Sequence, residues 1–215
     1  MSEARPNWLT APVGPESTRE AILVTACQVF IDHGYEQSSM DKIALKSGVA
    51  RRTLYNQFAS KKALFDATMA RLWAHMPIAT IIDVSLESRP PEDVLYEIGR
   101  AIADFWAPPE AVAFLRLVIW ESPRFPELGE SFINTGREPA RSAVKRYVRL
   151  LTEEPGYRIH DPDLAATQFI GVIVGEVLLD RLIATREPAL SEQRCDYVVS
   201  EAVALFLSRY RVSLP

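Results

Sequence analysis

The residues best suited to chemistry in this sequence lie between Ser39 and Lys62. Six of them are basic (Lys42, Lys46, Arg51, Arg52, Lys61 and Lys62) and one, Asp41, is acidic, giving a local charge of +5. The full chain of 215 residues has 24 basic and 28 acidic residues, so the remainder holds −9 of a net −4. Cations gathered this way suit a polyanion, because displacing counterions from phosphates takes several lysines or arginines on one face. Arginine adds base-edge chemistry, since its planar fork pairs bidentately with O6 and N7 of guanine. Arg51 and Arg52 are therefore expected to reach base edges, with a G in each half-site. Thr53 offers a methyl to thymine or a hydroxyl to phosphate. Asn56 and Gln57 could read bases or simply face solvent, and a basic run is also common as plain solvated surface.

Other chemistries find little support. His33, His75 and His160 are isolated, and neither an H-E-x-x-H pattern, a phosphate loop nor a Ser/His/Asp set occurs. No catalysis, metal or cofactor is expected. Cys27 and Cys195 cannot by themselves form a disulfide framework or a four-cysteine zinc site, which points to a reduced, cytoplasmic setting. The most apolar stretch, residues 169–179, is about half of a membrane span and contains Glu176, so no membrane helix is expected. The first 16 residues, with Pro6, Pro12, Gly14 and Pro15 and no apolar core after a basic start, read as a flexible arm.

The elements that must position the basic cluster are helical. Apolar residues recur at three and four, and glycine is scarce at 9 residues. Ser17 and Glu20 form a capping-box pattern before a stripe of Ala21, Ile22, Ala26, Val29 and Phe30, predicting a helix over 18–33. Ser38 with Asp41 repeats the pattern and opens a short helix ending at Ser47-Gly48. Residues 51–58 form a third with Leu54 and Phe58 inward, and Ser60 caps a fourth to about residue 75. A short helix, a glycine turn and a second short helix make a helix-turn-helix, whose second helix enters a major groove. Residues 77–90 are taken as a linker. Prolines then punctuate helices near 91–106, 109–122, 126–153, 162–186 and 191–209, with Asp161 and Pro162 as a capped start.

GYEQSSMDKIALKSGVARRTLYNQFASKKALF, residues 34–65, closely resembles the DNA-binding domain of the TetR family of bacterial transcriptional regulators. More weakly, FLRLVIWESPRFPEL, residues 114–128, is similar to the C-terminal pattern of the AefR-like subgroup. The resemblance implies an all-α fold of about nine helices, with an arm at 1–16, a helix-turn-helix domain at 17–66 and a ligand-binding and dimerisation domain at 67–215. It gives Ser39 and Tyr55 phosphate-binding roles, Ser39 also being a plain helix cap. It makes Lys61, with the first turn of its helix, a phosphate clamp. The sequence departs from the family pattern at Ala50 (usually Ser), Arg52 (usually Gly) and Gln57 (usually His). The helix starting at Arg51 thus lacks its usual hydroxyl cap, and base preference cannot be carried over.

The helix at 162–186 is apolar nearly all round, as is the last, so each needs cover on two sides. A second copy of the same helix pair would supply one cover, giving a homodimer interface that includes Phe169, Val172, Ile173, Glu176, Val199, Val203 and Phe206. Gly171 and Gly175 would permit close helix approach, either there or within one subunit. Trp73, Met76, Phe105, Trp106, Phe114, Leu117, Trp120 and Tyr147 are either core or the wall of a pocket for an apolar or amphipathic effector. Arg116 and Glu121 are either polar contacts for that effector or a structural ion pair. These features together point to a ligand-released homodimeric repressor on a near-palindromic DNA operator. The alternative is a helical small-ligand carrier or interaction protein without specific DNA readout.

Overall fold

The computed structural model describes residues 18–85, 89–184 and 189–212. The expected N-terminal arm and the Ser17 cap lie outside them. Among the described residues there is no strand, and one isolated β-bridge joins Tyr157 to Arg211. The helices are α1 Thr18–Gln37, α2 Met40–Lys46, α3 Arg51–Gln57, α4 Lys61–Trp73, α5 Ile78–Ser85, α6 Pro91–Trp106, α7 Pro109–Glu121, α8 Pro126–Phe132, α9 Glu138–Leu151, α10 Pro162–Val174, α11 Asp180–Ile183 and α12 Glu192–Tyr210. π-helical turns at Ile133–Arg137 and Gly175–Leu179 interrupt the helical runs expected over 126–153 and 162–186.

Local signals explain most boundaries. Asp161 accepts from Leu164 N–H and Ser60 from Ala63 N–H, and prolines open α6, α8 and α10 where a missing N–H costs nothing. Gly34, at φ 78°, breaks α1 after His33 as expected. Two expectations need correction. Ser39, not Ser38, caps α2 by accepting from Lys42 N–H, while the Ser38 hydroxyl donates back to Tyr35 O at 2.6 Å. The linker expected at 77–90 contains α5, because Ile78 and Ile82, one turn apart, are both fully buried; tertiary burial offsets its β-branched composition.

The chain packs as two compact units, and residues 110–136 group with the N-terminal 75. The first unit holds α1–α4, nearly all of α7, and α8. Its core is built from Ile22, Phe30, Ile43, Leu54, Leu64, Phe65, Met69 and Phe114, with the Phe65 and Phe114 rings stacked at 5.5 Å. Cys27 is buried here, and desolvation pushes its thiol up to about 12.

The second unit holds α5, α6 and α9–α12. Gly99 lets α6 lie against α10 and α12: a Cβ there would meet Val199 Cγ1 at 2.6 Å and Ile173 Cδ1 at 3.2 Å. Arg100 bridges Asp104 on its own helix and Asp196 on α12, and Tyr96 donates to the same Asp196 at 2.8 Å. The buried Arg181 guanidinium donates to the carbonyls of Trp106 and Ala107, placing a cation on the negative end of α6. Residues 162–183 form a helical run long and apolar enough to cross a membrane by length and composition alone, longer than the apolar stretch read at 169–179. That run packs Ala165, Ala166, Phe169, Ile173 and Val177 into the unit's core and leaves Leu164, Leu179 and Ile183 exposed.

Gly99→Ala should overpack the α6 crossing, at a cost of about 1–3 kcal/mol. The expected result is a melting temperature lower by several degrees, measured by circular dichroism.

Candidate nucleic-acid interface

The recognition surface depends on how α2 and α3 are set. Ile43 and Ala44 on α2, Leu54 on α3 and Phe58 after it are buried, and Val49 is half-buried. Ser47 and Gly48, the latter at φ 69°, turn the chain between the helices, with the Ser47 hydroxyl donating to Ile43 O at 2.7 Å. Burial of Leu54 fixes the rotation of α3 and leaves Arg51, Arg52, Tyr55 and Asn56 exposed, with Thr53 half-buried. Gln57 is also half-buried and its Oε1 is shielded, so it is less available than Asn56. Ala50 provides no side-chain cap, as its identity implies. Ser39 is exposed at the start of α2, where cap and phosphate ligand are compatible roles.

Several of the cations already hold partners. Arg51 Nε lies 2.9 Å from Asp41 Oδ1, and its guanidinium carbon sits 5.4 Å from the Tyr55 ring centroid. Lys46 pairs with Asp32 at 3.5 Å and Lys62 with Asp66 at 2.6 Å, both acids lying outside the 39–62 window. Sequence reading took Asp41 only as a capping-box partner and so missed its contact with Arg51. The signal was there: Asp41 is the one acid in the basic window.

Lys61 is placed otherwise than a phosphate clamp requires. Its ammonium turns inward and donates to the carbonyls of Tyr35 at 2.7 Å, Ser38 at 3.0 Å and Glu36 at 3.3 Å, over the Tyr35 ring at 4.4 Å. Desolvation holds its pKa below the usual lysine value, against the opposing pull of Glu121 and Glu36. The cause is local: α1 has broken at Gly34, and the carbonyls beyond the break need donors. Glu121 at the end of α7 satisfies the opposite side. It is buried, and its Oε1 accepts from Tyr35 N–H at 2.8 Å and Glu36 N–H at 3.4 Å. A Cβ at residue 34 would come within 2.8 Å of that oxygen, so Gly34 is required twice, for its φ and for the space. Arg124 then pairs with Glu36. One oxygen of the Glu121 carboxylate is thus occupied by the backbone at 35–36, a role additional to those expected for it from the sequence.

The proposed pocket residues fall in both compact units. Trp73, Phe114, Leu117 and Trp120 belong to the first unit, and Met76, Phe105, Trp106 and Tyr147 to the second. Trp73 lies against Gly136 and meets Phe132 at a tilt, ring centroids 5.2 Å apart, and Phe105 meets Trp106 edge-on at 4.8 Å. Burial raises the Tyr147 phenol well above its ordinary value. Trp120 is 83% exposed. A cleft of about 410 Å³ in the second unit is lined by Pro91, Glu154, Pro155, Gly156, Tyr157, Arg211 and Val212, none of them in the expected set.

The expected dimer residues also divide. Phe169, Ile173, Val199, Val203 and Phe206 face into their own subunit, because α6 packs against that side of α10 and α12 at Gly99. Val172 and Glu176 face outward. With them on the exposed side stand Leu164, Leu179, Ile183, Tyr197 and Leu205. Gly171 and Gly175 lie on the same side, with nothing within 4 Å of a Cβ at either, so they serve no close approach inside one chain.

Comparison with known proteins finds matches over both parts of the chain. Residues 22–68 match the model for bacterial regulatory proteins of the tetR family, and residues 93–212 the AefR-like transcriptional repressor C-terminal domain. The chain is similar to the transcriptional activator FasR of Mycolicibacterium smegmatis, 39% identical over 56 residues, 26% of each chain. It is similar to the repressor BepR of Brucella suis, 43% identical over 54 residues, covering 25% of this chain and 26% of that one. These matches thus span about a quarter of each curated relative. Among solved structures, a TetR-family regulator from Mesorhizobium loti superposes with a TM-score of 0.78 at 24% identity, over 91% of this chain and 97% of that one. The flavonoid-responsive regulator FrrA gives a TM-score of 0.66 at 26% identity, over 90% and 97%.

Lys61→Ala removes a charged donor from three carbonyls and should cost about 2 kcal/mol, read as a lower melting temperature. The slope of log affinity against log salt for duplex DNA should stay unchanged. A slope shallower by about one would instead return Lys61 to a phosphate.

Proposed function

Because the chain belongs to the TetR family and is a DNA-binding transcriptional regulator, we propose that it acts as a homodimeric repressor released from a near-palindromic operator by a small effector. The observation that carries this reading is the pair of exposed arginines, Arg51 and Arg52, at the first turn of α3, held outward by the buried Leu54. A recognition helix reads base edges with the residues at its N-terminal end. Ser39, Thr53, Tyr55 and Asn56 are assigned to phosphate and neighbouring bases, with Lys42 as a further phosphate-neutralising cation. Lys61 is assigned to the fold of the head.

The outward stripe of Leu164, Val172, Leu179 and Ile183 on α10, the π-helical turn after it and α11, with Tyr197 and Leu205 on α12, supports pairing with a second copy. A two-fold interface is self-complementary, and two glycines at its middle would let the partner's helix approach closely. Such a dimer would hold the two α3 helices about 34–36 Å apart for successive major grooves. The effector is assigned to the second unit, near Met76, Phe105, Trp106 and Tyr147, and is apolar or amphipathic. The flavonoid response of FrrA supports that class. The effector must favour one spacing of the recognition helices over another, because equal affinity for both shifts nothing. Regulators of this family are soluble, and cytoplasmic residence follows from the proposed work on DNA.

Selection from a random duplex pool should return a two-fold-related motif bound about a thousandfold more tightly than shuffled DNA at physiological salt. Sequence-independent binding alone would favour a carrier role. Lys42→Ala should reduce the salt slope by about one.

Gly171→Leu should leave the single chain folded, since nothing lies within 4 Å. It should shift sedimentation from dimer to monomer and weaken operator binding; a dimer unaffected by it would place the interface elsewhere.

A further inference from the structure

An acid on a DNA-binding face is a cost, because it repels the phosphates that the neighbouring cations attract. Asp41 is the single acid in the window from Ser39 to Lys62 and is exposed on α2. Its position in the first turn suits the helix dipole, but the cap itself is already supplied by Ser39. What distinguishes Asp41 is its contact with Arg51, the first residue of α3, through Oδ1 and Nε at 2.9 Å. One turn along α3, the Tyr55 ring lies 5.4 Å from the same guanidinium.

A guanidinium is flat and presents its donors along distinct edges. A carboxylate at Nε leaves the terminal Nη1–Nη2 edge as the one that can meet the paired acceptors O6 and N7 of guanine. A ring beneath the plane limits its tilt. Arg51 is thus held along one edge and one face, and rotamer freedom that an isolated arginine would lose on binding is already restricted in the free protein. Lys46 and Lys62, which also carry acid partners, have no planar edge to orient, so the same device would do nothing there. The pair is well exposed, with side chains 68% and 56% accessible, so its contribution to folding is small. Asp41 can therefore be changed without losing the head.

We propose that Asp41 is a specificity-determining residue that acts through Arg51, orienting the guanidinium for guanine and trading non-specific affinity for discrimination. This rests on the reading of Arg51 as a base-contacting residue. Asp41 need not touch DNA; it is a positioning residue on the helix that precedes the recognition helix.

The test uses the full-length protein, the selected operator, operators with single substitutions at each G·C pair, and shuffled duplex, all titrated by fluorescence anisotropy at several salt concentrations. Asp41→Asn should bind shuffled duplex severalfold more tightly, while discrimination at one G·C position per half-site falls about tenfold. Asp41→Glu, which keeps the carboxylate, should recover part of that discrimination. In an Arg51→Ala background, Asp41→Asn should leave discrimination unchanged. Melting curves establish that each variant is folded. If Asp41→Asn strengthens operator and shuffled duplex equally, with discrimination intact, Asp41 is only a repulsive charge and the proposal is overturned. If it strengthens the operator more than shuffled DNA, Asp41 sequesters Arg51, and the proposal is again overturned. In both cases the base-contact reading survives if Arg51→Ala loses discrimination. An Arg51→Ala variant that discriminates as well as the parent overturns that reading and this proposal together.

Discussion

The helix-turn-helix rests on a backbone turn, residues 34–38, that satisfies itself only in part, through the Ser38 N–H and hydroxyl donating to Tyr35 O. α1 stops at a positive-φ glycine, exposing amides on one side and carbonyls on the other. Buried backbone groups of this kind need partners. Glu121 takes the amides of residues 35 and 36, and Lys61 takes the carbonyls of 35, 36 and 38. One residue is an acceptor and the other a donor, and neither could serve the opposite side. The direction in which α2 leaves the turn follows from this clamp, and with it the presentation of α3.

Around that frame the charges are arranged with more restraint than the net +5 suggests. Asp32, Asp41 and Asp66 each lie on a cation of the head. The exposed pairs of Lys46 and Lys62 are weak and are screened by salt, so DNA phosphates can compete for them. The surface attracts a polyanion without holding it indiscriminately, as a regulator that must find few sites among many requires.

Helix limits were legible in the sequence because the signals are local. Pro91, Pro126, Asp161, Ser60 and Gly34 each act within one turn of themselves. The exposed arginines were legible for a similar reason, since Leu54 sets the phase of so short a helix. α5 was not, because burial of Ile78 and Ile82 is decided by other helices. Lys61 was given a phosphate role by resemblance, and its contacts in the head were not legible because the partners are carbonyls, which carry no residue type. Glu121 was missed as a cap for the same reason. For α10 and α12 the difficulty is geometric: a helix apolar all round has no stripe to show which side faces home. Gly99 decides it by admitting Phe169, Ile173 and Val199 on one side. Trp120 was assigned to a pocket on aromatic character alone, and it stands in solvent.

The clamp at the turn also bears on modularity. Domain boundaries drawn along the sequence would cut this chain after α3 or α4 and treat everything before the cut as a transferable reading head. Such a cut would separate Lys61 from Glu121, leaving the amides at 35 and 36 without their acceptor. The smallest exchangeable head is therefore discontinuous, the N-terminal 75 residues together with 110–136. Recombination between relatives at a single crossover would break it unless both parents carry a carboxylate at the position of Glu121. Divergence of the head and of this later segment must consequently proceed in step.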